Sequence, residues 1–244
     1  MSAAAIAVTG YGLSAIVESN DAAALSMLRR RLPLSIDVQL APAGSTAQRH
    51  WVATDEFDTA NRVIPELELW IAEWAVGRVF VHAGCVAVDG RALLLPGRSH
   101  AGKTTLTQAL LRGGASYLSD EYAVLDRDGF VHTYPRPLRV RDGSGHLLVS
   151  PGELGADVVD HPLPVGLVAH LRYEPRAVDI TPISRADGVL ALLDNTVCAR
   201  SRPSEALEAT ANALEHAAVL AGARGEAEAT ATELIEAART VPPR

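Results

Sequence analysis

At 244 residues, the chain suits one domain with room for a smaller lobe and has ample length for a packed core. Apolar residues supply 48% and charged residues 21%, ordinary values for a globular protein. A formal net charge of −7 argues against a nucleic-acid partner, even with short basic runs at Arg29-Arg30-Arg31 and at Arg136, Arg139 and Arg141.

The first segment, Ala3 to Val17, is apolar, alternates in places and carries Gly10 and Gly12, the pattern of one or two strands with a bend. Asn20 or Asp21 caps a helix running to Leu32, which Pro33 ends. Ile36, Val38 and Leu40 alternate and predict another strand over Ser35 to Ala41. Ala43 to Asn61 reads as polar and irregular. Ile64 to Val76 returns to near-helical spacing, with Pro65 suited to a first turn. Residues 1–77 are therefore read as a small α/β lobe, and residues 78–244 as the main body.

The texture changes at Arg78. Arg78 to Val88 is β-rich, Asp89-Gly90 is a strong hairpin signal, and Arg91 to Leu95 is the return strand. A helix is predicted from about Lys103 to Arg112, stopped by Gly113-Gly114. Ala115 to Leu125 reads as a strand region, Asp126 to Gly129 as a turn and Phe130 to Tyr134 as a return strand. Residues 135–163 look like loops and short strands. Val165 to Tyr173 and Val178 to Ile183 read as strands. Ser184 to Leu193, Ser204 to Ala221 and Glu226 to Arg239 read as helices, the last two on their Ala and Glu content.

The two cysteines, Cys85 and Cys198, lie far apart without metal-ligand spacing; a reducing, cytoplasmic setting suits them. The opening MSAAAIAVTG lacks a basic stretch and a long apolar run and is not read as a signal peptide. No stretch approaches the roughly 18 uninterrupted apolar residues of a membrane span, so no membrane partner is expected.

The chemistry concentrates at Gly97-Arg98-Ser99-His100-Ala101-Gly102-Lys103-Thr104, which matches the phosphate-loop pattern GxxxxGK[ST] at every fixed position. Glycines reach the positive φ that lets successive N–H groups converge on an anion, and the following helix aims its positive end at phosphates. Lys103 then bridges the terminal phosphates and Thr104 gives its hydroxyl to Mg²⁺, with Thr105 in the same nucleotide-binding stretch. His100 occupies a variable position and reads as a solvated filler, and Arg98 touches either phosphate or solvent. The strand entering this loop is the second arm of a hairpin, and Ser119-Asp120-Glu121 follows after room for one helix, one turn and one strand. The acids are thus expected beside the loop, on the next strand, in a mixed or antiparallel sheet.

The order of His82-Ala83, Gly97 to Thr104, Arg112-Gly113 and Asp120-Glu121 resembles the catalytic core of the HPr kinase/phosphorylase family and its shorter relatives. The resemblance is good over about residues 79–140. It implies the fold shared with phosphoenolpyruvate carboxykinase: an α/β P-loop core with a mixed or antiparallel sheet, a small N-terminal α/β lobe and C-terminal helices. It also implies ATP- and Mg²⁺-dependent phosphorylation of a hydroxyl, usually serine. Carried over, Asp120 is the general base, Glu121 assists Mg²⁺, and His82 lies in the site. Short of catalysis, Asp120 and Glu121 cap the strand end or bind Mg²⁺ through water. A basic residue near the γ-phosphate favours Arg136 among Arg136, Arg139, Arg200 and Arg202.

Departures from the family narrow this. No second acidic-Arg-Gly signature follows, the acidic pair is Asp-Glu rather than Asp-Asp, and residues 1–77 are not the larger N-terminal domain. HPr as substrate and the reverse phosphorylase reaction are both put in doubt. The acceptor expected is a serine hydroxyl on a peptide or protein, as in the peptide-modification pathways where short relatives occur, and the family's habit allows a homo-oligomer. The competing reading is a nucleotide-binding switch that signals without phosphotransfer. A carboxykinase-like metabolic enzyme is disfavoured, because no further His/Asp/Lys metal cluster is apparent.

Overall fold

The computed structural model describes residues 4–33, 35–42, 44–97, 102–143, 145–175 and 179–241, the side chains of residues 142 and 146 excepted. The chain divides into two compact units, Met1–Arg78 and Val79–Arg244.

In the first unit, β1 (Ala4–Gly10) and β2 (Leu13–Ser19) form a hairpin. Its turn residues, Tyr11 and Gly12, both have positive φ, 53° and 75°, matching the twist of the flanking strands. Asp21 caps α1 (Ala22–Arg31) by accepting from the Ala23 N–H at 2.9 Å, and the helix buries Ala24, Leu25 and Leu28. β3 (Asp37–Leu40) pairs with β1 antiparallel, and β4 (Arg49–Val52) pairs with β2 parallel, giving the order β3-β1-β2-β4. β4 falls in the stretch read as irregular. Its residues are mostly exposed and show no alternation, so only backbone pairing with β2 defines it. A one-turn helix α2 (Glu56–Asp58) and a π-helical turn (Thr59–Val63) lead into α3 (Ile64–Trp74), with Pro65 in its first turn.

In the second unit, β5 (Val79–Val88) and β6 (Arg91–Pro96) pair antiparallel around Asp89 and Gly90, both at positive φ. Helix α4 (Lys103–Arg112) follows, then β7 (Ser116–Ser119), β8 (Tyr122–Leu125) and β9 (Phe130–His132). β10 (Leu138–Asp142) and β11 (Gly145–Val149) make a separate two-stranded hairpin. β12 (Leu163–Tyr173), β13 (Asp179–Pro182), α5 (Arg185–Leu193), α6 (Pro203–Ala213), β14 (Ala218–Arg224) and α7 (Ala227–Thr240) complete it.

The main sheet runs β13-β14-β12-β6-β5-β8-β9, with β7 also on β5 and β9 closing onto β12. Pairings of β12 with β6 and with β14 are parallel, while β5 pairs antiparallel with β6, β7 and β8; the sheet is mixed. One face buries Val81, Ala83, Cys85 and Leu94 with Ala206, Ala209 and Leu214 from α6 and the turn after it. The other buries Val86, Leu93, Leu95 and Leu167 with Leu106 and Leu110 of α4 and Leu234 and Ile235 of α7. The molecule is therefore mixed α/β, with helices on both faces of the sheet.

Two sequence readings are corrected. The helix expected from Ser204 to Ala221 ends at Ala213, and Ala218–Arg224 is instead the strand β14, sandwiched between parallel β12 and antiparallel β13. Alanine favours helix in isolation, but two flanking ladders satisfy this segment's backbone and override the propensity. Gly222 permits the close approach: at φ 144° it passes so near the Asp179 carbonyl that a Cβ there would lie 1.7 Å from it. The C-terminal part is thus two helices separated by a sheet strand. Likewise, Ala115 to Leu125 is two strands, broken at Asp120 and Glu121.

Candidate active site

The break between β7 and β8 is set by Ser119. Its hydroxyl accepts from the N–H groups of Glu121 at 3.3 Å and Tyr122 at 3.2 Å, a turn that lifts residues 120 and 121 out of the ladder. β5 holds the other side: Cys85 pairs with Ser119 and His82 with Tyr122, while the Ala83 N–H donates to the Glu121 carbonyl at 3.1 Å. The acids therefore lie in the turn after the strand rather than along it.

Across from them, α4 starts at Gly102, which is left-handed at φ 77°, and its carbonyl accepts from the Leu106 N–H at 3.1 Å. Gly84 of β5 lets this helix come close, because a Cβ there would lie 2.7 Å from the Thr107 hydroxyl. The Thr104 hydroxyl donates to Asp120 Oδ2 at 2.7 Å. Lys103 folds back so that its ammonium donates to the Gly97 carbonyl at 2.7 Å, and Gly97 is tied to β5 through the His82 carbonyl at 3.3 Å.

Asp120 is only 7% exposed. Burial pushes its carboxyl up to about 6, helped by the Glu121 charge; the Thr104 and Thr107 hydroxyls and the Lys103 charge pull the other way. Thr107 faces the carboxylate without hydrogen-bond geometry to it, and Asp120 Oδ1 is buried with no partner among the described residues. Burial lowers the Lys103 pKa, offset by the charges of Glu121 and Asp120. Glu121 stays more exposed, beside His82: His82 Nδ1 is 2.9 Å from the Glu121 carbonyl and 3.6 Å from its Oε1. The carbonyl contact needs the proton on Nδ1.

Gly97, Gly102, Lys103, Thr104, Asp120, Glu121 and His82 thus converge around the start of α4. Arg98, Ser99, His100 and Ala101 lie outside the described residues. Thr105 is on α4 but exposed. Arg136 follows β9; its carbonyl accepts from the Tyr117 hydroxyl at 2.8 Å, and burial raises the Tyr117 pKa, with the Asp120 charge adding to this and the Arg136 charge opposing it. Arg139 and Arg200 are exposed, and Arg202 pairs with Glu205 at 2.9 Å. Cys85, fully buried with its thiol pushed up by burial, is no nucleophile.

Sequence reasoning missed Arg224 at the end of β14. It is 3% exposed, and it donates to the Gly102 carbonyl at 3.1 Å and the Gly225 carbonyl at 3.0 Å. Its guanidinium lies 5.1 Å from the Tyr173 ring centroid. The signal available was an apolar run ending in Arg-Gly, hidden once that run was read as helix.

Among the described residues no group of three or more His, Cys, Asp or Glu is placed to hold a metal by itself. The Thr104 hydroxyl and the Asp120 carboxylate are hard oxygen donors, and Asp120 Oδ1 lacks a partner among the described residues. That donor set fits Mg²⁺, which takes one or two protein oxygens and completes its shell with phosphates and water.

No family model and no curated protein matches the chain. Among solved structures it is similar to the HPr(Ser) kinase/phosphatase from Coxiella burnetii, at 16% identity over 66% of this chain and 93% of that one, with a TM-score of 0.35.

Proposed function

We propose that the chain is a kinase that transfers the terminal phosphoryl group of ATP to a hydroxyl, in the first instance a serine on a peptide or protein. The observation that carries the reading is the hydrogen bond from Thr104 to Asp120 at the start of α4, with Lys103 alongside. A carboxylate, a hydroxyl and an ammonium meet at the N-terminal end of a helix, whose dipole favours negative charge, an arrangement suited to phosphate.

In this reading Lys103 exchanges the Gly97 carbonyl for phosphate oxygens and neutralises their charge. Thr104, with Asp120 or Glu121, would hold Mg²⁺, which would supply charge neutralisation at the phosphates. Asp120 accepts the acceptor's hydroxyl proton, the serine oxygen gains the phosphoryl group, and ADP leaves. His82 orients Glu121, and Arg136 adds positive charge on the Tyr117 side. The Thr104 bond itself favours a second division of labour, in which Asp120 serves the cation and the more exposed Glu121 takes the proton.

The test uses γ-labelled ATP, Mg²⁺ and a pool of serine-containing peptides. Asp120→Asn should keep nucleotide binding and lose transfer by roughly 10²–10⁴-fold. Transfer by Asp120→Asn equal to the wild type removes the base assignment; loss in Glu121→Gln alone favours the second division. Lys103→Ala should weaken ATP binding by roughly 10- to 100-fold. Nucleotide binding with no labelled product from any peptide, but with a nucleotide-dependent partner, replaces the kinase by the switch reading.

A further inference from the structure

Arg224 is a buried cation at the edge of the site with no carboxylate within ion-pair distance among the described residues. It donates to two backbone carbonyls, Gly102 and Gly225, and its guanidinium stacks on Tyr173. Glu226, whose charge acts on Arg224, is exposed and instead accepts from the Tyr173 hydroxyl at 3.0 Å. A guanidinium taken out of water is costly unless an anion compensates it, and carbonyl dipoles and one ring supply only part of that. Desolvation is accordingly the largest influence on Arg224, lowering its pKa. The group is not needed to hold the sheet together, since β14 already pairs with β12 from Ala218 to Arg224 and with β13 from Leu220 to Ala223.

Its position relative to α4 is tight. A Cβ at Gly102 would lie 2.4 Å from Arg224 Nη2, so any other residue at 102 would push the guanidinium from this placement. Gly102 is the hinge at which the chain enters α4 through a left-handed conformation, directly before Lys103 and Thr104. Whatever fixes the Gly102 peptide fixes the direction in which the first N–H groups of α4 and the Lys103 side chain leave it.

Resting on the nucleotide reading above, we propose that Arg224 is a positioning residue of the phosphate site. It clamps the Gly102 carbonyl so that the start of α4 is set for a nucleoside polyphosphate, and its uncompensated charge is completed by the bound phosphates. The ligand class is thus one whose affinity rises with its phosphate count. The Tyr173–Glu226 pair braces the clamp from the outer side.

The experiment measures AMP, ADP and ATP affinity of the full chain by titration calorimetry with Mg²⁺, for the wild type, Arg224→Lys, Arg224→Met, Tyr173→Leu and Lys103→Ala. Arg224→Met is expected to weaken ATP by roughly 10- to 100-fold and AMP much less, flattening the ATP-to-AMP ratio. Arg224→Lys should recover part of that ratio, because it restores charge without the planar fork. Tyr173→Leu, at a half-exposed position that puts folding at little risk, should weaken ATP about 2- to 5-fold. It carries the test if Arg224→Met fails to fold. An Arg224→Met or Tyr173→Leu protein with wild-type affinities and ratio overturns the proposal, as does an equal loss for AMP and ATP. Wild-type ATP binding that Lys103→Ala weakens and the Arg224 variants do not overturns the clamp alone. A wild type that binds no nucleotide overturns the nucleotide reading and the clamp together.

Discussion

Replacing Asp120 by asparagine makes a stability measurement report on the site without any nucleotide. The Asp120 carboxyl is raised from 3.8 to about 6, chiefly by burial. A group whose folded pKa lies above its unfolded one stabilises the fold fully below the unfolded value. It loses that contribution as pH rises through the folded value. Wild-type stability is therefore expected to fall, through this residue, between about pH 4 and pH 6. A shift of about two units at about 1.4 kcal/mol each corresponds to about 3 kcal/mol. Asparagine does not titrate, so the stability of Asp120→Asn minus that of the wild type should climb by about 2.4 kcal/mol from pH 4 to pH 7, most of the full difference. A constant offset is also expected, because the buried amide must find an acceptor where Oδ1 has no partner among the described residues. The pH dependence is free of that offset. Urea denaturation with a chelator present, at pH 4, 5, 6, 7 and 8, gives the difference. The three tryptophans, Trp51, Trp70 and Trp74, all belong to the first unit, so the transition must be followed by the tyrosine near-ultraviolet and far-ultraviolet signals of the second. A difference that stays flat within about 0.5 kcal/mol across the range would refute the argument that burial strains this carboxylate.

Gly84→Ala should destabilise the second unit by about 1–3 kcal/mol, since its Cβ would meet the Thr107 hydroxyl at 2.7 Å; Thr107→Ala in the same chain should return part of the loss, and a purely additive double mutant would contradict the contact. Asp21→Ala removes the cap of α1 and should cost the first unit about 1 kcal/mol, read from tryptophan emission in urea; an unchanged midpoint would mean the cap contributes nothing.

Much of the site was legible because its signals are local. The Gly102-Lys103-Thr104 run, the Asp89-Gly90 turn and the stop at Gly113 each act within a few residues, and α4 forms over Lys103–Arg112 as its spacing predicts. The proximity of Asp120 to the start of α4 also followed from chain length: one helix, one turn and one short strand leave little room to go elsewhere. What stayed hidden was non-local. Ser119 breaks the strand beneath the acids only because β5 holds both flanks, and composition around Ser119 does not announce it.

The C-terminal stretch marks the division most clearly. By itself the sequence determined a helix start at Gly102-Lys103-Thr104 with two acids close behind, since turn chemistry, helix periodicity and short connections act between near neighbours. Only the tertiary structure decided that Ala218–Arg224 is a strand and that it ends with Arg224 against the Gly102 carbonyl, 122 residues earlier in the chain. Alanine carries too weak a preference to choose between helix and strand against two waiting ladders, so the sheet on either side made the choice.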